Sequence, residues 1–465
     1  MRPVRTRSPA GIALPRPSLS VLLLCVLLTC LWLAGGASRA DAAGQVVVRL
    51  ASWIALIAAI LFGPRLALNT ERSVVLLLVA TVLLPLVQLI PLPPALWQAL
   101  PGRDVFAQAA ALSGQPQPWR PLAIVPGAAV NAAASLIVPV ATLMLLVGLK
   151  PAERVWLPTA MLGLIVASAL LGVLQASGGG FDNPLINETV GTVSGSLANR
   201  NHFALLAAIG CLIAPVWAFP AGHRPGWRGA VALALVLLFV LSILASGSRS
   251  GLVLGTVGVA LGLTIVQRSI RRMLARYPRW VFPTAIAGVV VLVAIMVLFS
   301  IATDRAVSIQ RLFAIDAEQD LRARTLPTVI AMTRAYLPFG IGLGGFDPLF
   351  RLHEPSSLLK PTFFNQAHND FLEIVLDAGL PGALLLLAAV GWWAVASFRA
   401  WRGGADQTHA RLGSATLLLV MIASVSDYPA RTPIIMAVIV VAAMWLAWAE
   451  ERRDRYALPP GEQHL

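Results

Sequence analysis

Apolar blocks of about 20 residues alternate along this chain with shorter polar stretches. About 20 residues is the length a helix needs to cross the hydrocarbon core of a bilayer. Such blocks fall at 18–36, 46–63, 73–92, 128–148, 155–176, 201–220, 229–246, 251–267, 281–302, 372–398, 412–427 and 432–449. The pattern predicts an all-α polytopic membrane protein with about twelve transmembrane helices. The first block follows Arg2, Arg5, Arg7 and Arg16 and precedes Ser38-Arg39-Ala40, a small-x-small site, yet its length favours an uncleaved span. Four regions result: N-terminal helices with a Trp/Pro-rich loop (1–160), central helices (161–302), a polar loop (303–371), and C-terminal helices with a basic tail (372–465).

The longest break in the apolar pattern organises the chain. Asp304 to Gly382 is mostly polar at its start and carries clusters of Arg, His, Asp and Gly. Long loops in compact proteins are usually functional or disordered, and this one is not of low complexity. It is expected to be a large catalytic loop containing short helices, acting on an anionic, lipid-linked substrate.

Composition agrees with the pattern. Hydrophobic residues make up 58% and charged residues 12% of the chain, against about 25% charged in soluble domains. The net charge of +14 sits in loops, so it concerns topology and phosphate-bearing lipids, not nucleic acid. Cys25, Cys30 and Cys211 all fall in apolar blocks, which excludes a disulfide framework and a metal cluster built on cysteine. With both termini cytoplasmic, 21 of the 35 Lys and Arg lie in inside segments, Arg268, Arg271, Arg272, Arg276 and Arg279 forming the strongest anchor. Half of the remaining 14 are in the long loop. External arginines that topology does not require point to anion binding. The external face would carry Pro93–Gly127 with Trp97 and Trp119, Ser177–Arg200, the Gly247–Gly251 turn, the long loop and Asp427–Arg431. The two tryptophans suit either an interfacial aromatic belt or contact with a lipid carrier.

Candidate chemistry gathers in these external stretches. Arg249, in G-S-R-S-G between two apolar blocks, is costly next to hydrocarbon unless paired or facing a polar cavity; its fork suits two phosphate oxygens. Arg322 and Arg324 in L-R-A-R-T, read as loop residues, are placed to reach one pyrophosphate together. The glycines of P-F-G-I-G-L-G-G-F predict a tight turn and lack the lysine and preceding strand of a nucleotide loop. His368 is the sharpest candidate: Asn365 or Asn369 would cap the helix that follows, keeping the imidazole neutral near its positive end and able to accept a proton. Asp370 and Glu373 are close enough to orient the ring or hold sugar hydroxyls. Asn199, Arg200, Asn201, Asn369 and Arg431 complete the expected substrate contacts, with His202 shaping the same pocket and His353 ranked below His368. No H-E-x-x-H or D-x-D spacing appears in the external loops, so no metal or other cofactor is expected.

Together these residues resemble the O-antigen ligase and polysaccharide polymerase superfamily of membrane glycosyltransferases. The resemblance rests on N-R-N-H-F at Asn199–Phe203, G-S-R-S-G at Gly247–Gly251, R-A-R-T-L-P at Arg322–Pro327, P-F-G-I-G-L-G-G-F at Pro338–Phe346, and H-N-D-F-L-E-I-V-L-D-A-G-L-P-G at His368–Gly382, and spans roughly 160–440. It implies a bacterial inner-membrane enzyme with a periplasmic site. The donor would be a glycan on undecaprenyl pyrophosphate, and the acceptor a sugar hydroxyl of lipid A core or of another glycan. The family's histidine maps onto His368, its helix-turn arginine onto Arg249 and its loop arginine onto Arg322, with Arg324 as second choice. Most members carry Glu where Asp377 stands. An O-antigen ligase is the expected activity, an O-antigen or exopolysaccharide polymerase the alternative. A polysaccharide transporter or flippase is more distant, because transporters place ionisable groups near the bilayer midplane and here they cluster at span ends.

Overall fold

Inside a bilayer the backbone has no water to bond, so apolar runs of this length have to become helices. A computed structural model shows them doing so. The structure describes residues 17–64, 71–178, 183–186, 191–219, 225–275, 317–359, 364–404 and 407–457, with single residues at 278, 280 and 284. The first half contains α1 (Leu19–Ala34), α2 (Gly44–Phe62), α3 (Arg72–Gln88), α4 (Pro94–Gln98), α5 (Asp104–Leu112), α6 (Pro126–Ser135), α7 (Ile137–Val147), α8 (Pro151–Arg154) and α9 (Leu157–Ala176). The second contains α10 (Arg200–Ala218), α11 (Trp227–Ser246), α12 (Arg249–Leu274), α13 (Ala317–Tyr336), α14 (Phe346–His353), α15 (Asp370–Arg402), α16 (Thr408–Ser424) and α17 (Pro433–Ala457). One two-stranded antiparallel ribbon pairs β1 (Pro91–Leu92) with β2 (Arg120–Pro121).

Among the described residues seven helical segments are long and apolar enough to cross a membrane: 44–62, 126–147, 151–176, 200–218, 227–246, 249–273 and 370–402. Three of the expected spans are shorter apolar helices, at 19–34, 72–88 and 433–448. The span expected at 412–427 is the 17-residue α16, and that at 281–302 lies outside the described residues. The architecture is all-α.

α10 is the centre of the bundle, its side chains almost all buried, with α9, α11, α12 and α16 packed around it. Small residues set the closest approach: a Cβ on Gly258 would lie 2.5 Å from the Ala208 carbonyl oxygen, and one on Gly262 2.8 Å from that of Leu212. Close backbone approach through small residues is how helices associate where the solvent is itself apolar. The polar connections collect at the two ends. At one, Glu153 accepts from the Ser18 N–H and hydroxyl (both 2.9 Å), and Glu71 accepts from Trp448 Nε1 (3.1 Å) and faces Arg154 (3.9 Å). At the other, residues 36–39, 198–202, 365–369 and 425–432 meet. These are the two groups of loops that the Lys and Arg distribution separates.

The loop between the bundle helices has a core of its own. Val329, Met332 and Tyr336 on α13 pack with Ile341, Phe346, Leu349, Phe350 and Leu376, and with Phe106, Ile124 and Val125 from the Trp/Pro-rich segment. Its first helix, α13, runs to 20 residues, longer than the short helices expected there, and continues through Pro327. Trp97 is buried in the same assembly: it is 3% exposed, donates from Nε1 to the Pro121 carbonyl (2.9 Å) and carries the guanidiniums of Arg103 and Arg120 on its ring. Trp119 is exposed. Buried Arg103 in turn donates to the carbonyls of Leu122 (2.8 Å) and Gly340 (3.1 Å), which fastens the N-terminal loop to the glycine turn.

That turn wraps around a break in α15. Gly379 stands at φ 60°, ψ −145° inside the helix, and the Pro338 carbonyl enters the gap to accept from Leu380 N–H (2.8 Å). A Cβ at Gly379 would lie 2.0 Å from that carbonyl oxygen. Both the left-handed φ and the missing Cβ are therefore required. Gly379→Ala is expected to cost at least about 1–3 kcal/mol, read as a fall in the apparent Tm of the detergent-solubilised protein; an unchanged Tm would show that the kink is not needed for stability.

Candidate active site

The site is assembled from three chain segments that meet over one carboxylate. Asp427, in the eight-residue link between α16 and the helix start at Pro433, is 3% exposed. Its Oδ2 accepts from Asn201 Nδ2 (2.7 Å) and Asn199 Nδ2 (3.3 Å), both at the start of α10. Its Oδ1 accepts from the Tyr428 N–H (3.1 Å) and meets His368 Nδ1 (3.3 Å), with His202 Nε2 at 3.8 Å. Burial raises such a carboxyl, but the imidazoles of His202 and His368 and the nearby Arg322 outweigh it and hold Asp427 well below the usual carboxylate range. Asp427 is therefore an anion at neutral pH.

Local structure places each partner. Asn199 caps α10, accepting from Asn201 N–H (2.8 Å), so the helix presents its amide side chains at its first turn. His202 is fixed by Thr432 (2.9 Å) and lies edge-on to Tyr428. His368 precedes the Asn369 cap of α15, where Asn369 Oδ1 accepts from Leu372 N–H (3.0 Å) and its Nδ2 donates to the Val425 carbonyl (3.0 Å). Its φ of 52° makes it the one non-glycine residue with positive φ among the described residues. Non-glycine residues held in that region cost energy and cluster where geometry matters to function. The ring is braced by Phe364 and Tyr428, and burial beside Asp427 pushes the Tyr428 hydroxyl up to about 12.

A polar cavity of about 440 Å³ opens on this network. His368, His202, Asn199, Arg200, Asn201, Asn365 and Tyr428 line it, together with residues 36–39 and Thr192. The expected substrate contacts of the N-R-N-H-F motif and His368 thus share one wall. Arg322 is next to it, donating from Nη1 to the Ser426 carbonyl (2.9 Å) beside Asp427. Arg249 opens α12 at the same end. G-S-R-S-G is a helix-to-helix junction: Gly247, left-handed at φ 71°, ends α11, and Ser248 caps α12 by accepting from Gly251 N–H (3.0 Å). Gly251 lies against Ala204 on the first turn of α10.

Three expectations are changed by the geometry. Arg322 and Arg324 are helical, so side chains two apart point to different sides: Arg324 donates to Ser357 (3.3 Å) while Arg322 turns to Ser426. Asp370 and Glu373 do not orient the imidazole; that carboxylate is Asp427. They join Asp377 around Arg431 instead, at 3.7, 3.0 and 3.3 Å, with Asp370 also accepting from Ser424, Glu373 from Ala367 N–H and Asp377 from Gly344 N–H. Arg431 is committed to these carboxylates and does not line the cavity. His353 pairs with Tyr336 (3.0 Å), away from the cavity wall. Asp427 and Tyr428 are the residues that sequence reasoning left without a role; the only signal was an acid in a short polar link on the external side.

Residues 233–387 match the family model described as O-Antigen ligase. That match supports an O-antigen ligase/polymerase-like protein. The matched stretch is a third of the chain and includes Arg249, Arg322 and His368, whereas Asn199–His202 and Asp427 lie outside it. A comparison with curated proteins gives no match.

Arg431 carries the charge balance of three buried carboxylates, and removing one partner of a buried ion cluster leaves charge uncompensated. Arg431→Met is expected to destabilise the protein by about 3–5 kcal/mol, visible as loss of a monodisperse peak on size exclusion, with Arg431→Lys partly restoring it. A Met variant of wild-type Tm would contradict this role.

Proposed function

We propose that the protein is an O-antigen ligase-type glycosyltransferase. It moves a glycan from undecaprenyl pyrophosphate to a hydroxyl of lipid A core at the periplasmic face of the inner membrane. The observation that carries this reading is the contact of His368 Nδ1 with buried, ionised Asp427 at the edge of a polar cavity. A proton on Nδ1, donated to Asp427, fixes the tautomer in which Nε2 is the unprotonated nitrogen.

In the proposed step the acceptor oxygen attacks the anomeric carbon while its proton passes to His368 Nε2. The bond between that carbon and the pyrophosphate oxygen breaks, and the electron pair leaves with the pyrophosphate. Arg322 and Arg249 hold the departing anion; fixed cations at developing charge are a major source of rate. Attack opposite the leaving group inverts the anomeric centre. Asn199, Arg200 and Asn201 present donors to sugar hydroxyls beside the histidine.

Cells lacking the gene, complemented with wild type or His368→Ala, test the proposal. The variant is expected to insert normally, lose glycan attached to lipid A core and accumulate polymerised glycan on the carrier. Only single repeats remaining would mean a polymerase, and no change in either fraction would overturn glycosyl transfer. Asp427→Asn, which removes the anion that orients the ring, is expected to lower kcat by roughly 10²–10⁴-fold in a reconstituted transfer assay; wild-type kcat would exclude the His–Asp pair from the chemistry.

A further inference from the structure

Beside the site, one arginine faces three buried acids. Asp370, Glu373 and Asp377 all stand around Arg431, and the last two are fully buried. Asp370 is well supplied as an anion: Oδ2 accepts from the Ser424 hydroxyl (2.9 Å) and the Ala430 N–H (3.2 Å), and Oδ1 lies 3.7 Å from Arg431 Nε. The other two acids share a single nitrogen, with Glu373 Oε1 and Asp377 Oδ2 at 3.0 and 3.3 Å from Arg431 Nη2. They are four residues apart on α15, a spacing that makes helical side chains neighbours. Their remaining contacts are uneven. Glu373 Oε2 accepts from Ala367 N–H (2.7 Å) and Asp377 Oδ2 from Gly344 N–H (3.0 Å). Among the described residues, Glu373 Oε1 accepts no hydrogen bond beside its ion pair, and buried Asp377 Oδ1 has no hydrogen-bond partner.

Fully ionised, this group would hold two negative charges in excess. The charged groups that act on Glu373 and Asp377 are Arg431 and the acids of α15 themselves. The other elements in contact offer neutral partners. α3 brings Gln88, which donates to the Asp377 carbonyl (3.0 Å), α16 brings Ser424, and the glycine turn brings the Gly344 amide. His202 on α10 acts on Asp370. A buried charge without a counter-ion is so costly that the group takes a neutral form instead. A carboxyl oxygen left without a donor has the same remedy, because a protonated carboxyl is itself a donor.

We propose that Asp377 is a carboxylic acid at neutral pH, its Oδ1 carrying a proton donated to Glu373 Oε1, and that this acid–carboxylate pair positions His368. One proton answers both orphaned oxygens. Asp377 Oδ2 stays free to accept from Gly344, while Glu373 remains ionised against Arg431. Glu373 Oε2 then holds the amide of Ala367, the residue directly before His368. Loss of the proton would set like charges on neighbouring turns and draw Glu373 away from that amide. The positioning role rests on the transferase reading; the proton does not.

Infrared spectra of the full-length protein in an ester-free detergent at neutral pH test the proton directly. The difference between wild type and Asp377→Asn is expected to contain a protonated-carboxyl C=O band, and Glu373→Gln to shift that band without removing it. No such band in wild type, a band that survives in Asp377→Asn, or one that Glu373→Gln removes overturns the assignment. So does failure of Asp377→Asn to fold, since an amide reproduces the donor and acceptor of the neutral acid. A carboxyl protonated in the fold and ionised in the unfolded chain takes up one proton on folding, so its contribution to stability falls as pH rises. The apparent Tm of wild type is therefore expected to fall from neutral to alkaline pH while that of Asp377→Asn stays level; parallel declines would contradict the proposal. In transfer assays the alkaline limb of the kcat profile should move to higher pH in Asp377→Asn, and an unmoved limb overturns the positioning role. Absence of transfer in wild type would instead refute the transferase reading and leave the infrared result standing.

Discussion

A carboxylate sealed from solvent at the end of a membrane bundle must be surrounded by donors, or it costs several kcal/mol. Asp427 meets that demand by drawing on α10, the start of α15 and its own link. Each donor is fixed by a local rule. Asn199 and Asn201 are at a capped helix start, His368 stands one residue before a cap, and the Tyr428 amide follows the acid directly. The positive φ of His368 is what this convergence imposes on the chain. Helix capping at two separate helices and the satisfaction of one buried anion are thus the same structural fact.

The bundle was largely legible because apolar run length is a strong signal: hydrocarbon permits little except a helix. His368 was legible too, since H-N-D ahead of an apolar block places a histidine beside a helix cap. Asp427 was not, because a lone acid in D-Y-P-A-R-T has no periodicity and its side-chain partners stand 59 or more residues away in sequence. The reading of Arg322 and Arg324 as loop residues failed for a different reason. Val329, Met332 and Tyr336 recur at helical spacing, but Pro327 and the surrounding charges masked a helix that tertiary packing sustains. Asp370 and Glu373 were close to His368 in sequence, yet on a helix they are drawn to the face that Arg431 occupies.

Two ionic networks therefore lie side by side with opposite purposes. Around Arg431, three carboxylates on successive turns of α15 meet one cation in a closed space, tied through Asp377 to the glycine turn. The glycine turn is gripped from the other side by Arg103, and Gln88 bridges it to α15 through Leu343 N–H and the Asp377 carbonyl. That assembly sets the angle at which α15 enters the bundle and so the position of the residues just before it. The Asp427 network has the reverse arrangement, one anion hidden behind imidazoles that face an open, polar cavity. Rigidity is concentrated in the first and chemistry in the second.

The site draws on segments both inside and outside the stretch that matches the family model. The stretch matched by the O-Antigen ligase family model supplies Arg249, Arg322 and His368, the residues proposed to handle a leaving pyrophosphate and a proton. Residues 36–39, Thr192 and 198–202 come from outside it and line the same cavity as His368. A leaving group shared by many donors demands the same cations each time, whereas acceptors differ in charge and shape. Specificity is a difference between affinities, so it can be changed in those segments without disturbing the residues that would hold the leaving group.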